Sequence, residues 1–212
     1  MPIDLTALLD PESTALVTQE CQEGVIGSKS ALPEMAAAVE AVGLVPNVTR
    51  LVEAARAAGV LVIHCLAHRR LDARGANTNA RLFKYMEKAP VKLHIGSEAV
   101  ELLPGLGPEE SDIVLSRLHG LSPFHGTELD WVMRNEGIRT VVGVGVSANV
   151  AIPNFTFDAV NSGYQMVLPK DAVAGTPVSY IDEILTHSLS NVATITDTDA
   201  VVAAWASHAG RG

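Results

Sequence analysis

Three apolar runs of this chain end in side chains that can do chemistry. The first runs into Gln19-Glu20-Cys21-Gln22, the second into Arg117-Leu118-His119, and the third into the turn Gly145-Val146-Ser147-Ala148-Asn149-Val150-Ala151. A carboxyl group in a dry pocket, such as that of Glu20, acts as a general acid or base. Arg117 stays charged near neutral pH, so it anchors an acidic group or pairs with Glu20, and it is a poor proton donor. A Gly/Ser turn that opens a helix leaves free backbone N–H groups. Those of Val150 and Ala151 form a candidate site for developing negative charge. The same residues also fit a structural reading, in which Glu20 caps a strand end or forms an ion pair with Arg117.

Around this set, Gln22, His119, Phe124, His125, Ser147 and Val150 are candidate substrate contacts. Each has a plainer role beside it: His119 and His125 can cap the helix that follows Gly126, and aromatics such as Phe124 commonly pack in a core. Asn149 is expected to brace the turn. Strand alternation points Cys21 away from Glu20, so it reads as a small buried hydrophobe rather than a nucleophile. His64 and His68 stand four apart, but His64 lies in a strand-like run. Both read as core or pocket histidines, and no metal site is expected.

The elements that must carry these side chains follow an alternating rhythm. Strands are predicted over 14–19, 60–65, 112–116, 140–144, 165–168 and 192–194, and helices near 46–58, 127–136, 148–161, 179–189 and 198–207. Gly59, Gly137 and Gly163 stop three of the helices. Strands alternating with helices imply a mostly parallel sheet covered on both faces. In such sheets ligands sit beyond the carboxyl ends of the strands, and neighbouring strands are only about 4.8 Å apart. Residues 66–110 fit the rhythm least. This polar stretch, with His68-Arg69-Arg70, Arg74-Gly75 and Asn77-Thr78-Asn79, is either a ligand lid or a solvated loop with one short helix.

Several of these segments resemble the isochorismatase-like hydrolases, also called the cysteine hydrolase family. Residues 14–22 resemble the first-strand motif whose catalytic aspartate stands at Glu20. Residues 112–117, with Ser122-Pro123-Phe124-His125-Gly126-Thr127-Glu128-Leu129, resemble the segment whose catalytic lysine stands at Arg117. The 146–151 turn, together with Asp158-Ala159 and Gly163-Tyr164, is similar to the nucleophile turn and its helix, and Asp171-Ala172 also suits the family. Ala151 occupies the position of the attacking cysteine.

The resemblance implies a three-layer α/β/α fold around a central parallel six-stranded sheet, spanning 1–212 as one domain. It also implies a small-molecule substrate and a homo-oligomer, dimer or tetramer, for which the apolar helix 150–160 suits an interface. Catalysis without the cysteine has a likeness within the family: isochorismatases, which protonate a vinyl ether, also place a small residue there. By that likeness Glu20 is the acid or base for hydrolysis of a C–O or C–N bond, and Ala151 makes room. The rival is a non-catalytic member that binds or scaffolds. The Asp-x-His pattern of metal-binding members is absent, and no cofactor is expected.

Composition sets the outer limits. Of the 212 residues, 48% are apolar and 18% charged, enough to bury a large core and too apolar for disorder. The net charge of −9 argues against a nucleic-acid partner. No apolar run approaches the roughly 20 residues of a membrane helix, so no membrane association is expected. The first residues show no signal-peptide pattern, and two cysteines make no disulfide framework, so a reducing cytoplasm is expected.

Overall fold

The computed structural model describes residues 3–209. Its strands are β1 (Thr14–Gln19), β2 (Leu61–Ala67), β3 (Ile113–Arg117), β4 (Thr140–Val146), β5 (Gln165–Pro169), β6 (Val173–Ala174) and β7 (Ala193–Thr196). Its helices are α1 (Leu5–Leu8), α2 (Pro33–Val42), α3 (Leu44–Ala58), α4 (Arg81–Lys88), α5 (Leu129–Asn135), α6 (Ala151–Asn161), α7 (Val178–His187) and α8 (Thr198–Ala209). The sheet is parallel throughout, in the order β3-β2-β1-β4-β5-β7, and β6 adds a seventh strand beside β4. The six expected strands are all present, each shifted by two residues or fewer at either end.

Strand alternation divides the core. Leu16 of β1 packs with α3 and α8 residues such as Leu51, Val52 and Trp205 on one face. Ala15 and Val17 pack with Met133, Ile152, Phe155 and Leu185 of α5, α6 and α7 on the other. β1 is buried along its whole length, as a central parallel strand must be. Among the described residues no single helix is long and apolar enough to cross a membrane. The α2–α3 pair passes by length and composition, but it bends by 58° and the stripe Val48, Leu51, Val52 and Ala55 of α3 is buried in the core.

Three departures from the sequence reading have local causes. α2 is an addition to the expected helices: Pro33 opens it and Gly43, at φ 65°, ends it and starts α3, so one continuous-looking apolar stretch becomes two helices. α6 begins at Ala151 rather than near Ala148, because residues 148–150 form a turn with non-helical geometry at Val150. The 66–110 stretch contains the one short helix expected of it, α4, followed by backbone pairing of Arg69 with His94 and of Gln22 with Leu102.

Candidate active site

The sheet order reverses between β1 and β4, since β2 and β3 lie on one side of β1 and β5 and β7 on the other. This is the switch point where open α/β sheets leave a crevice. Gly145, at φ 109°, allows the two strands to come together there: a Cβ on it would collide with the Gln19 carbonyl oxygen. Directly after β1, Glu20 takes the left-handed conformation at φ 55°, and its N–H donates to the Cys65 carbonyl at 3.0 Å. That backbone turn lifts its side chain off the sheet edge.

A cavity of about 210 Å³ opens at this point, and Glu20, Arg117, Ser147 and Ala151 all line it. The three positions expected to converge therefore do so. Arg117, the last residue of β3, is only 3% exposed, and its Nη2 donates to Glu20 Oε1 and, at 3.4 Å, to the Leu121 carbonyl. Its Nε and Nη1 are buried with no hydrogen-bond partner. Glu20 Oε2 receives no hydrogen bond from a protein donor among the described residues, and the Glu20 side chain is 19% exposed. The pair is thus joined through one nitrogen and one oxygen, and the other atoms of both groups remain uncommitted.

The turn before α6 differs from the expected charge-stabilising pair of amides. The N–H of Val150 already donates to the Ser147 carbonyl at 3.1 Å, and Val150 does not line the cavity. Only the Ala151 N–H remains available, since its bond to Ser147 Oγ is long at 3.5 Å. Asn149 does not brace the turn by hydrogen bonding through its carbonyl: Oδ1 is buried without a partner. The turn is held instead by the Ala148 N–H on the Ala174 carbonyl, 2.8 Å away on β6.

Of the expected substrate contacts, His119 and Ser147 line the cavity, whereas Gln22, Phe124 and His125 do not. Gln22 is fully buried and spends its amide on the backbone: Nε2 donates to the Ala67 and Val100 carbonyls and Oε1 accepts from the Ala67 N–H. Phe124 packs against Phe155 and Tyr164 at ring distances of 5.7 and 5.9 Å. His125 faces solvent and lies 3.4 Å from Asp158.

The thiols lie beside the site but do not face it. Cys21 and Cys65 are buried, neither lines the cavity, and burial pushes each thiol up to about 12, well away from a thiolate at neutral pH. His64 stays within β2, with Nδ1 2.8 Å from Thr18 Oγ1 and Nε2 3.4 Å from Asp112. His68 points to a different role: it lines the cavity, and burial lowers its basicity. No group of three or more metal-ligating side chains occurs among the described residues.

The cavity's outer wall includes His68, which the sequence reads as a core or pocket histidine, and residues to which the sequence alone assigns no individual role. Arg69 follows His68 after β2, and Leu82, Phe83 and Met86 lie on α4, with Leu32, Met35, Val91 and Leu93 around them. The spacing Leu82-Phe83-x-x-Met86 puts three apolar side chains on one helical face, a signal that could have marked α4 as a lid.

A parallel α/β sheet with an acid–arginine pair lining a cavity at its switch point is the architecture of a small-molecule site, and comparison gives the family. The isochorismatase domain family matches residues 14–200, so the chain belongs to the isochorismatase family of hydrolases. It is 31% identical to ureidoacrylate amidohydrolase RutB of Acinetobacter baylyi, over 77% of this chain and 71% of that protein. It is 25% identical to N-carbamoylsarcosine amidase of an Arthrobacter species, over 75% of this chain and 60% of that one. A solved cysteine hydrolase from Pseudomonas syringae pv. phaseolicola 1448A superposes with a TM-score of 0.80 at 25% identity, covering 98% of this chain and 96% of that one.

Proposed function

We propose that this family member hydrolyses a C–N or C–O bond of a small molecule by direct attack of water, with Glu20 as the general base and then the general acid. The observation that carries this reading is the free oxygen of Glu20, Oε2, in a cavity whose nucleophile position is Ala151. Glu20 takes a proton from a water molecule held in the room beside Ala151. The water oxygen bonds to the electrophilic carbon, and the negative charge that develops there faces the Ala151 N–H. Collapse breaks the bond to the leaving group, which departs with the proton from Glu20, so the carboxylate is regenerated. Arg117 holds Glu20 in place through Oε1 and keeps Oε2 turned to the reacting centre. For a vinyl ether the same carboxyl group first gives its proton to the substrate. The amide-directed names of the relatives favour the C–N reaction.

A second reading, a non-catalytic binding protein, is favoured by one observation: the only nucleophilic side chains of the fold's usual kind, Cys21 and Cys65, are buried outside the cavity. A screen of small amides, ureido acids and vinyl ethers separates the two, followed by a single turnover in heavy-oxygen water. Direct attack on an amide or ureido bond places solvent oxygen in the acyl product of that single turnover. An acyl product carrying only ordinary oxygen means that Glu20 itself attacked and gave up its oxygen, and binding without turnover across the panel supports the non-catalytic reading.

A further inference from the structure

The charged side chains that line the cavity are Glu20, Arg69, Lys92 and Arg117. Three of them have protein partners, although Arg117 keeps Nε and Nη1 unpartnered. Glu20 and Arg117 pair with each other, and Lys92 Nζ donates to the Met86 and Glu87 carbonyls at the end of α4. Arg69 alone has no ion pair and no side-chain hydrogen bond among the described residues. Its backbone is nevertheless fixed on both sides: its N–H donates to the Leu93 carbonyl at 2.7 Å and its carbonyl accepts from the Ile95 N–H at 3.0 Å. In a protein of net charge −9, Arg69 therefore lines the cavity from a fixed stretch of backbone with a guanidinium that no protein group pairs among the described residues.

The rest of the wall is apolar. Val25, Leu32 and Met35 line the cavity together with Leu82, Phe83 and Met86 of α4. An apolar cavity of about 150 Å³ accepts benzene, so 210 Å³ accommodates one six-membered ring or a short alkyl chain together with a small polar group. A guanidinium matches a carboxylate with two parallel hydrogen bonds.

We infer that the substrate is an apolar-bodied organic acid whose free carboxylate is held by Arg69 while its aryl or short alkyl body lies against Leu82, Phe83 and Met86. The inference rests on this cavity being the reactive site proposed above. It makes Arg69 a specificity-determining residue distinct from the Glu20–Arg117 pair: Arg69 selects the acid, and Glu20 acts on a second, hydrolysable bond of it.

Binding and turnover are separable, so the test uses binding. Benzoate and hexanoate are titrated against the wild-type protein by calorimetry, beside benzamide and hexanamide. The carboxylates are expected to bind about 10- to 100-fold more tightly than the amides, the usual worth of hydrogen bonds to a charged group. Arg69→Gln is expected to erase that preference while leaving the amides unchanged, and Arg69→Lys to keep part of it. Glu20→Gln is expected to leave the preference intact. Equal binding of acids and amides to the wild type, binding of neither, or a preference that survives in folded Arg69→Gln overturns the inference. Carboxylate selectivity without turnover of any acid-bearing amide leaves it standing and removes the hydrolytic reading instead.

Discussion

The two ends of β3 carry two arginine–carboxylate pairs that are built differently. Before its amino end, Asp112 is 1% exposed and saturated: Arg56 donates to it through Nε and Nη2, the Glu109 N–H donates at 2.8 Å, and His64 lies 3.4 Å away. Burial is the largest influence and would raise this carboxyl, but the Arg56 hydrogen bonds, the Glu109 N–H and the nearby charges of Arg56 and His64 together hold it below its ordinary value. At the carboxyl end, Arg117 and Glu20 share one contact and leave Glu20 Oε2 and two guanidinium nitrogens without protein partners. A satisfied buried pair holds elements in place, whereas an unsatisfied one carries a cost that stability does not explain. The saturated pair is structural, and the open pair faces the cavity.

Breaking the saturated pair should have the largest effect on stability. Asp112→Ala removes the main acceptor of Arg56, which keeps Glu109 and the Leu106 carbonyl, and is expected to destabilise the fold by about 1 to 3 kcal/mol in denaturant unfolding. At temperatures where the variant is folded, turnover per molecule should be preserved. A loss of turnover without a loss of stability would exchange the roles of the two pairs.

Next in size is the pH response of the saturated side. Burial lowers the basicity of His64, with the Asp112 charge opposing it, so the folded protein binds a proton there less readily than the unfolded chain. The stability this protects is present above the ordinary histidine value of 6.5 and declines as pH falls through and below it. Thermal unfolding is expected to show the decline, and His64→Gln should flatten it. The shift of His68 has the same sign with burial as its cause, so His68→Gln is expected to flatten a further part of the decline.

Smaller effects are expected from the thiol and nucleophile positions. Native protein at neutral pH should resist alkylation at Cys21 and Cys65 and label only after unfolding. The Cys21→Ser, Cys65→Ser double variant should retain turnover if it folds. Ala151→Cys should not gain efficient amidase activity, because Arg117 supplies no proton shuttle near neutral pH. Strong activity in that variant would mean that the open pair is a complete framework lacking only its nucleophile.

The contrast also explains what the sequence discloses. Strands with both faces covered read as continuous apolar runs, so β1, β4 and their ends are legible, and with them Glu20 and Ala151, while Arg117 is read from the shorter run of edge strand β3. The 66–110 stretch reads as a lid or a loop, but its members cannot be assigned from sequence. Arg69 reaches the cavity through backbone pairing with residues 93–95, which leaves no local periodic signature, and α4 shows only the short apolar face of Leu82, Phe83 and Met86. Gln22 and His125 sit near the right strand ends and turn elsewhere. Proximity in sequence to a strand terminus places a residue at the sheet edge, but not the direction of its side chain. The turn at Val150 reads as helix because its Ala-Asn-Val composition permits one, and only the bonds of Ser147 and Ala174 hold it out of one.

The most direct measurement is kcat for Glu20→Gln on a substrate the wild type turns over. The substitution keeps shape and removes the titrating carboxyl. A positioned acid or base contributes about 10²- to 10⁴-fold, so kcat is expected to fall by that factor while the folded variant keeps most of its ligand affinity. An unchanged kcat would remove Glu20 from the chemistry and leave the open pair without a catalytic role.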